Sequence, residues 1–250
     1  MTRIILSGAG GAMGRVVAKC ARESGKFTIV AGIDVVTEQR GDFHVFGNLA
    51  DCTVPADVII DFSHPAALEP LLSAAIPRKL PMVIATTGLS TAQIAKIHKA
   101  ADSIPVFFSF NMSLGVSLMV ELAKISARVL GSDFDVEIVE KHHNKKIDAP
   151  SGTALMLADG VSSVLGGGEL QYTYNRNSSR KPRGKNEIGI HSIRGGTIVG
   201  EHDILFAGKD EIVTIRHSAG SKKIFATGAL SAAEYIVGKA PGLYSMSDLI

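Results

Sequence analysis

The sequence predicts an α/β chain: a doubly wound parallel sheet carrying an inserted α+β domain built on a mixed, largely antiparallel sheet. Short apolar, β-branched runs alternate with amphipathic segments of helix length from Arg3 to Phe108, which is the pattern of βαβ units. Beyond residue 113 the strands alternate apolar and polar residues with period two, which suits a sheet with one face in water. From Phe225 to Val237 the helical period returns. The predicted domains are therefore 1–113 with 221–250, and 114–220 inserted between them.

The elements follow in order. Arg3 to Ser7 is an Ile-rich run cut by glycines, the mark of a buried parallel strand. Met13, Val16, Val17 and Cys20 repeat at helical spacing, and Gly25 stops that helix. Phe27 to Ile33 is a second strand ending at Asp34, and Val58 to Phe62 a third. Ser63 with Pro65 reads as a helix start, because proline fits the first turn. Met82 to Ala85 is a fourth strand, Ser90 opens an amphipathic helix, and Pro105 to Phe108 is a further strand. A longer helix spans 117–130, and 134–140 is a strand alternating apolar and acidic residues. A helix begins at Ser151, and three alternating strands lie near 187–194, 197–207 and 211–217. Gly195-Gly196 and Gly208-Lys209-Asp210 read as hairpin turns between them. The polar, basic stretch from Asn175 to Lys185 reads as a mobile loop.

Composition removes several function classes. The 250 residues are 46% hydrophobic and 20% charged, which excludes disorder as the main state. With 26 Lys+Arg against 24 Asp+Glu the net charge is only +2, so the chain has no excess of the kind that marks a nucleic-acid binder. Trp is absent and aromatics are 6%, so stacking platforms for single strands are not expected. No apolar run reaches the ~20 residues of a membrane helix, and Ile4-Ile5-Leu6 is too short for a signal-peptide core. The 2 cysteines, Cys20 and Cys52, form neither a disulfide framework nor a metal pattern, and read as buried thiols of a cytoplasmic protein.

Two constellations carry chemistry. Gly8, Gly10, Gly11 and Gly14 lie between a predicted strand and helix. Met13 breaks the strict G-x-G-x-x-G spacing, but Gly8, Gly11 and Gly14 still allow a tight turn and close approach of a pyrophosphate to the helix N-terminus. Asp34, 20 residues after Gly14, ends the next strand where a carboxylate can accept from ribose hydroxyls. Together they predict a Rossmann-type dinucleotide site; the competing reading is a glycine-rich turn that binds nothing.

The second constellation runs from Glu140 through Lys141-His142-His143-Asn144-Lys145-Lys146 to Asp148-Ala149-Pro150-Ser151-Gly152-Thr153. A solvated basic loop is one reading. A metal site is disfavoured, because adjacent strand histidines point to opposite sides and no further ligand follows at the right spacing. An active site accounts for more: histidine donates protons near neutral pH, lysines hold carboxylates, and Ser151-Gly152-Thr153 looks like a helix start able to bind an anion. Residues 141–223 hold 13 Lys and Arg against 8 Asp and Glu, and 5 of the 8 His. Such a positive domain suits an anionic substrate.

On these residues the sequence resembles the dihydrodipicolinate reductase family. The matching pieces are Gly8-Ala9-Gly10-Gly11-Ala12-Met13-Gly14, Ile60-Asp61-Phe62-Ser63, Ala85-Thr86-Thr87-Gly88, Asn111-Met112-Ser113-Leu114-Gly115, the run from Glu140 to Ala154, Gly200-Glu201-His202 and Gly242-Leu243-Tyr244. They span essentially the whole chain in the family's order, and the H-H-x-x-K-x-D-x-P-S-G-T-A stretch is very specific. The resemblance implies reduction of 4-hydroxy-tetrahydrodipicolinate in lysine and diaminopimelate biosynthesis. It implies hydride transfer from NADH or NADPH to ring C4. It places the general acid at His142 and a second proton donor and carboxylate partner at Lys146. It makes His143, Gly152 and Thr153 ligands of the dicarboxylate substrate. It puts nucleotide contacts at Gly8, Ala9, Gly10, Gly11, Ala12, Met13, Asp34, Ala85, Thr86, Thr87, Ser109, Phe110, Asn111 and Met112. It further implies a homotetramer joined through the inserted sheet, so 114–220 becomes a substrate and tetramerisation domain.

Two departures bear on the cofactor. Ala12 stands where several family members carry a basic residue, and Val35 follows Asp34 where NADPH-tolerant members often place Arg or Lys. Both absences remove partners for a 2′-phosphate and favour NADH. The rival readings are an aspartate- or homoserine-type dehydrogenase, which leaves the run from His142 to Thr153 without a role, and a nucleotide-sensing module, which needs no clustered acid groups.

Overall fold

The computed structural model describes residues 1–38, 41–165, 170–177 and 180–250. In chain order the elements are β1 (Thr2–Ser7), α1 (Ala12–Ser24), β2 (Phe27–Ile33), β3 (Val45–Phe46), β4 (Val58–Asp61), α2 (Leu68–Ala75), β5 (Met82–Ile84), α3 (Thr91–Ala101), β6 (Pro105–Phe108) and α4 (Leu114–Leu130). They continue with β7 (Asp135–His142), α5 (Gly152–Ser162), β8 (Gln171–Thr173), β9 (Glu187–Arg194), β10 (Gly200–Ala207), β11 (Ile212–Ala219), α6 (Lys223–Ile236) and β12 (Gly242–Tyr244). The chain divides into two compact units, Met1–Leu114 with Lys222–Ile250, and Gly115–Ser221.

The first unit is a seven-stranded sheet in the order β12-β6-β5-β4-β1-β2-β3, parallel at every pairing. Its central strands are apolar at consecutive positions because both faces are covered. Ile4, Leu6, Val58 and Ile60 point into a core with Val17, Cys20 and Ala21 of α1 and Ala226, Ala229, Leu230 and Ile236 of α6. Ile5 and Ile59, one residue out of phase, enter the opposite core with Leu68, Leu71 and Leu72 of α2 and Ile97 and Ala100 of α3. The helix expected to open at Ser90 does so, and through a capping box: the Ser90 side chain accepts from the Gln93 N–H while the Gln93 side-chain oxygen accepts from the Ser90 N–H. The helix start expected at Ser63 lies later. His64 caps a 3₁₀ turn at Pro65–Ala67, its Nδ1 accepting from the Ala66 N–H, and α2 proper begins at Leu68.

The second unit is a five-stranded sheet in the order β11-β10-β7-β9-β8. It is mixed, as the sequence predicts, but evenly so: β10 is antiparallel to β11 and β7, while β7–β9 and β9–β8 are parallel. Gly208-Lys209-Asp210 turns the β10–β11 hairpin, with the Gly208 N–H donating to Glu211 O at 2.9 Å. Gly195-Gly196 makes no hairpin, because β7 lies between β9 and β10. The Gly195 N–H instead donates to His142 O at 2.9 Å. A glycine pair marks a change of direction and does not say which strand is met next.

One face of this sheet, with Val136, Ile138, Ile188, Ile190, Ile204 and Phe206, packs under α4 and α5. Two arginines of the basic stretch 175–185 are tied to the sheet. Arg176 pairs with Glu137 and Glu187, and Arg183 with Glu137 at 3.0 Å and Asp135 at 2.8 Å. Ser178 and Ser179 of that stretch lie outside the described residues.

Candidate active site

In the first unit the glycine turn is built as its spacing requires. Gly8 has φ +75° and a Cβ there would lie 2.6 Å from Phe62 O, while one on Gly14 would lie 2.2 Å from Gly8 O. The N-cap of α1 is Gly11, with no side-chain hydrogen bond capping the helix; in its first turn Ala12 is exposed and Met13 half-buried. The half-buried Asp34 reaches the same turn: Oδ2 accepts from the Gly10 N–H at 2.8 Å and Oδ1 from the Val36 N–H at 3.3 Å. Ala9 is buried beneath the turn. Arg15, which the sequence reading missed, donates to Gly10 O at 2.6 Å. Its signal was a cation in the first turn of a helix opened by glycines.

The other nucleotide candidates follow the carboxyl ends of β5 and β6, the rim where ligands of open parallel sheets bind. Ala85 and Thr86 are buried and Thr87 is exposed. The Thr86 hydroxyl donates to Asp61 Oδ2 at 2.7 Å, which gives fully buried Asp61 a structural partner. Ser109 donates to Asn111 O at 2.8 Å, and Asn111 Oδ1 accepts from the Ser113 N–H at 2.9 Å. Phe110 is 49% exposed and Met112 buried.

In the second unit β7 carries the acid groups and α5 begins beside them. Period two places Glu140 and His142 on one face of β7, and His142 Nδ1 lies 2.6 Å from Glu140 Oε2. Glu140 is completely buried. Arg194 grips both its oxygens, at 2.8 and 2.7 Å, and also donates to Asp148 O at 2.6 Å. The Ser151 N–H donates to Glu140 Oε1 at 3.2 Å. Ser151 caps α5, accepting from the Ala154 N–H at 3.2 Å, and its hydroxyl pairs with His202 Nε2 at 2.9 Å. Gly152 and Thr153 are the first two helical residues. The His142 and His202 rings meet edge to face, centroids 5.2 Å apart. Gly200 keeps the His142 ring clear, since a Cβ there would lie 3.1 Å from Nε2.

His143 and Lys146 lie in the turn after β7, where the Lys146 N–H donates to His143 O at 3.1 Å. Lys146 Nζ holds both oxygens of Asp148 at 2.8 Å. Sequence reasoning named Glu140 and His202 within longer runs but gave them no role, and it did not name Arg194. Glu140 was legible, because it stands two residues before His142 on a strand; Arg194 and His202 arrive through the pairing of β9 and β10 with β7, which no local pattern reveals.

Burial on its own would raise the Glu140 carboxyl, but bonds from Arg194, Ser192 and His142 outweigh it and bring the group down to about 2. His142 is held below the ordinary histidine value, first by burial and then by Lys146 and Arg194, with Glu140 opposing. His202 is pushed down to about 4, mainly by burial. The arrangement is therefore a fixed anion, an imidazole whose Nδ1 is bound and whose Nε2 is the remaining nitrogen, and a helix start held beside them.

Comparison with known proteins extends over the same residues. Residues 2–112 match the model of "Dihydrodipicolinate reductase, N-terminus" and residues 115–250 that of "Dihydrodipicolinate reductase, C-terminus". The chain is 51% identical over 250 residues to a 4-hydroxy-tetrahydrodipicolinate reductase of Caldanaerobacter subterraneus subsp. tengcongensis, covering 100% of this chain and 98% of that one. It is 46% identical to the enzyme of that name from Clostridium novyi, with the same coverage. Its fold is similar, with a TM-score of 0.83 at 24% identity and full coverage of both chains, to a dipicolinate-bound dihydrodipicolinate reductase from Paenisporosarcina sp. TG-14. Matched end to end by both halves of the family model and by relatives of this identity, the chain belongs to the dihydrodipicolinate reductase family.

Proposed function

We propose that this chain reduces 4-hydroxy-tetrahydrodipicolinate to tetrahydrodipicolinate in lysine and diaminopimelate biosynthesis. The observation that carries the reading is the buried Glu140 joining His142 to the start of α5, in a chain 51% identical to a reductase of that name. The conversion removes the 4-hydroxyl as water and adds one hydride, at ring C4, and one proton. A nicotinamide dinucleotide supplies the hydride when bound.

The residues of the first unit suit that group. The glycine turn leaves no Cβ where Gly8 and Gly14 stand, α1 presents an uncapped N-terminus to a pyrophosphate, and Asp34 keeps lone pairs for a ribose. Gly8 to Met13, Asp34, Ala85 to Thr87 and Ser109 to Met112 would hold it. Asp34 has no cation on Val35 or Val36, so NADH is the preferred form.

In the second unit His142 is the general acid. With Nδ1 on Glu140 it delivers its proton from Nε2, quenching the electron density that reduction leaves on the ring. Its depressed pKa in the free protein rises when a dianionic substrate brings negative charge beside it. Lys146 exchanges Asp148 for a substrate carboxylate and serves as a second donor. His143 and the helix-start residues Gly152 and Thr153 bind the substrate carboxylates. The protein works in the cytoplasm as a homotetramer assembled through the second sheet, whose outer strand β11 has one edge unpaired among the described residues.

The test is oxidation of NADH by the purified protein with freshly made 4-hydroxy-tetrahydrodipicolinate, with aspartate semialdehyde and oxaloacetate as control substrates. Oxidation only with the dipicolinate precursor is expected. Turnover of a control, or none with the precursor, overturns the reading.

A further inference from the structure

We propose that Glu140 is a positioning residue for the reaction: it fixes the ring of His142 and ties that ring to the anion-binding start of α5. The inference deepens the function proposed above and rests on His142 being the acid. Its two oxygens face different elements. Oε2 meets His142 Nδ1 at 2.6 Å, and Oε1 accepts from the Ser151 N–H at 3.2 Å. One carboxylate thus sets the position of the proton donor relative to Ser151, Gly152 and Thr153, the turn that would hold the substrate's carboxylates.

A completely buried carboxylate is costly, and a fold needing only packing would be served as well by apolar side chains. Here the charge is retained and matched by Nη1 and Nη2 of Arg194, which also holds the Asp148 carbonyl and so closes the loop between β7 and α5. Accepting at Nδ1, the carboxylate selects the tautomer protonated there and leaves Nε2 as the working nitrogen. It also stabilises the imidazolium that must exist before each proton delivery. The groups facing His142 are Glu140 on its own strand, His202 on β10, Arg194 on β9 and Lys146 in the following turn. Glu140 is the one anion among them, so its removal leaves His142 among cations and neutral rings.

Two readouts separate this role from the function on which it rests. Nitrogen-15 NMR of the free protein reports the His142 tautomer and titration without any substrate. Wild type should show the proton on Nδ1, and Glu140→Gln should lower the His142 titration and mix the tautomers. In turnover, Glu140→Gln should lower kcat by about 10- to 100-fold and move the alkaline limb of its pH profile to lower pH. Glu140→Asp should restore the limb but not the full rate, because the shorter side chain cannot reach Nδ1 and Ser151 together. NADH affinity should be unchanged in both variants. If Glu140→Gln does not fold, the wild-type tautomer and Glu140→Asp decide alone. An Nε2-protonated tautomer in wild type, or a His142 titration indifferent to Glu140, overturns the proposal. The expected NMR result in a protein with no reductase activity would instead overturn the assigned reaction and leave the positioning role standing.

Discussion

Replacing Val35 by arginine should bring NADPH binding close to that of NADH. Asp34 lies at the carboxyl end of β2 with its carboxylate drawn to the glycine turn by the Gly10 N–H at 2.8 Å. A ribose held there brings its 2′ position beside that carboxylate, and a 2′-phosphate then meets a like charge. At ~5 Å and an effective dielectric between about 20 and 80, the repulsion is about 1–3 kcal/mol, or ten- to a hundredfold in affinity. Val35 is 94% exposed, so a longer side chain there displaces no packing and its guanidinium can reach the phosphate. Calorimetric titration of wild type and Val35→Arg with both dinucleotides, in one buffer at low and high salt, measures the effect. Wild type should bind NADH at least tenfold more tightly, and the variant should narrow the gap at low salt most. Equal or tighter binding of NADPH by wild type would refute the reasoning and point to another cation; Arg40, the nearest in sequence, lies outside the described residues.

Three further outcomes are expected. Gly14→Ala forces a Cβ to within 2.2 Å of Gly8 O, so it should abolish measurable NADH binding, and a calorimetric titration matching wild type would refute the assigned turn. His202 is held neutral with a folded pKa of about 4, so its contribution to stability is complete above the unfolded value near 6.5 and is lost as pH falls from there to 4. That gap is worth about 3 kcal/mol; urea unfolding at pH 7.5 and 4.5 should show the loss, and His202→Gln should reduce it. Light scattering at micromolar concentration should report four times the monomer mass, and a monomer would refute assembly through the second sheet.

The parallel sheet was legible because a buried strand leaves a continuous apolar run, and β1, β4 and β5 are such runs. β3 has two residues, and β8 and β12, as short as β5, lack its unbroken apolar run, so only the neighbouring strand makes them strands. The pairing of β9 was misjudged for a related reason: glycines at 195 and 196 look alike in a hairpin and in a crossover. Within the site, His142 and the helix start of α5 could be read from residue types at fixed spacing. Arg194 and His202 sit 52 and 60 residues after His142 and reach it only through the β7–β9 and β7–β10 ladders.

The most direct measurement is the pair of steady-state constants for His142→Gln with 4-hydroxy-tetrahydrodipicolinate and NADH. A proton donor acts in the transition state alone. The amide keeps a polar group in place, so KM should change little while kcat falls by about 10²- to 10⁴-fold. A variant that folds, binds NADH as wild type does and retains near wild-type kcat would remove His142 from the mechanism.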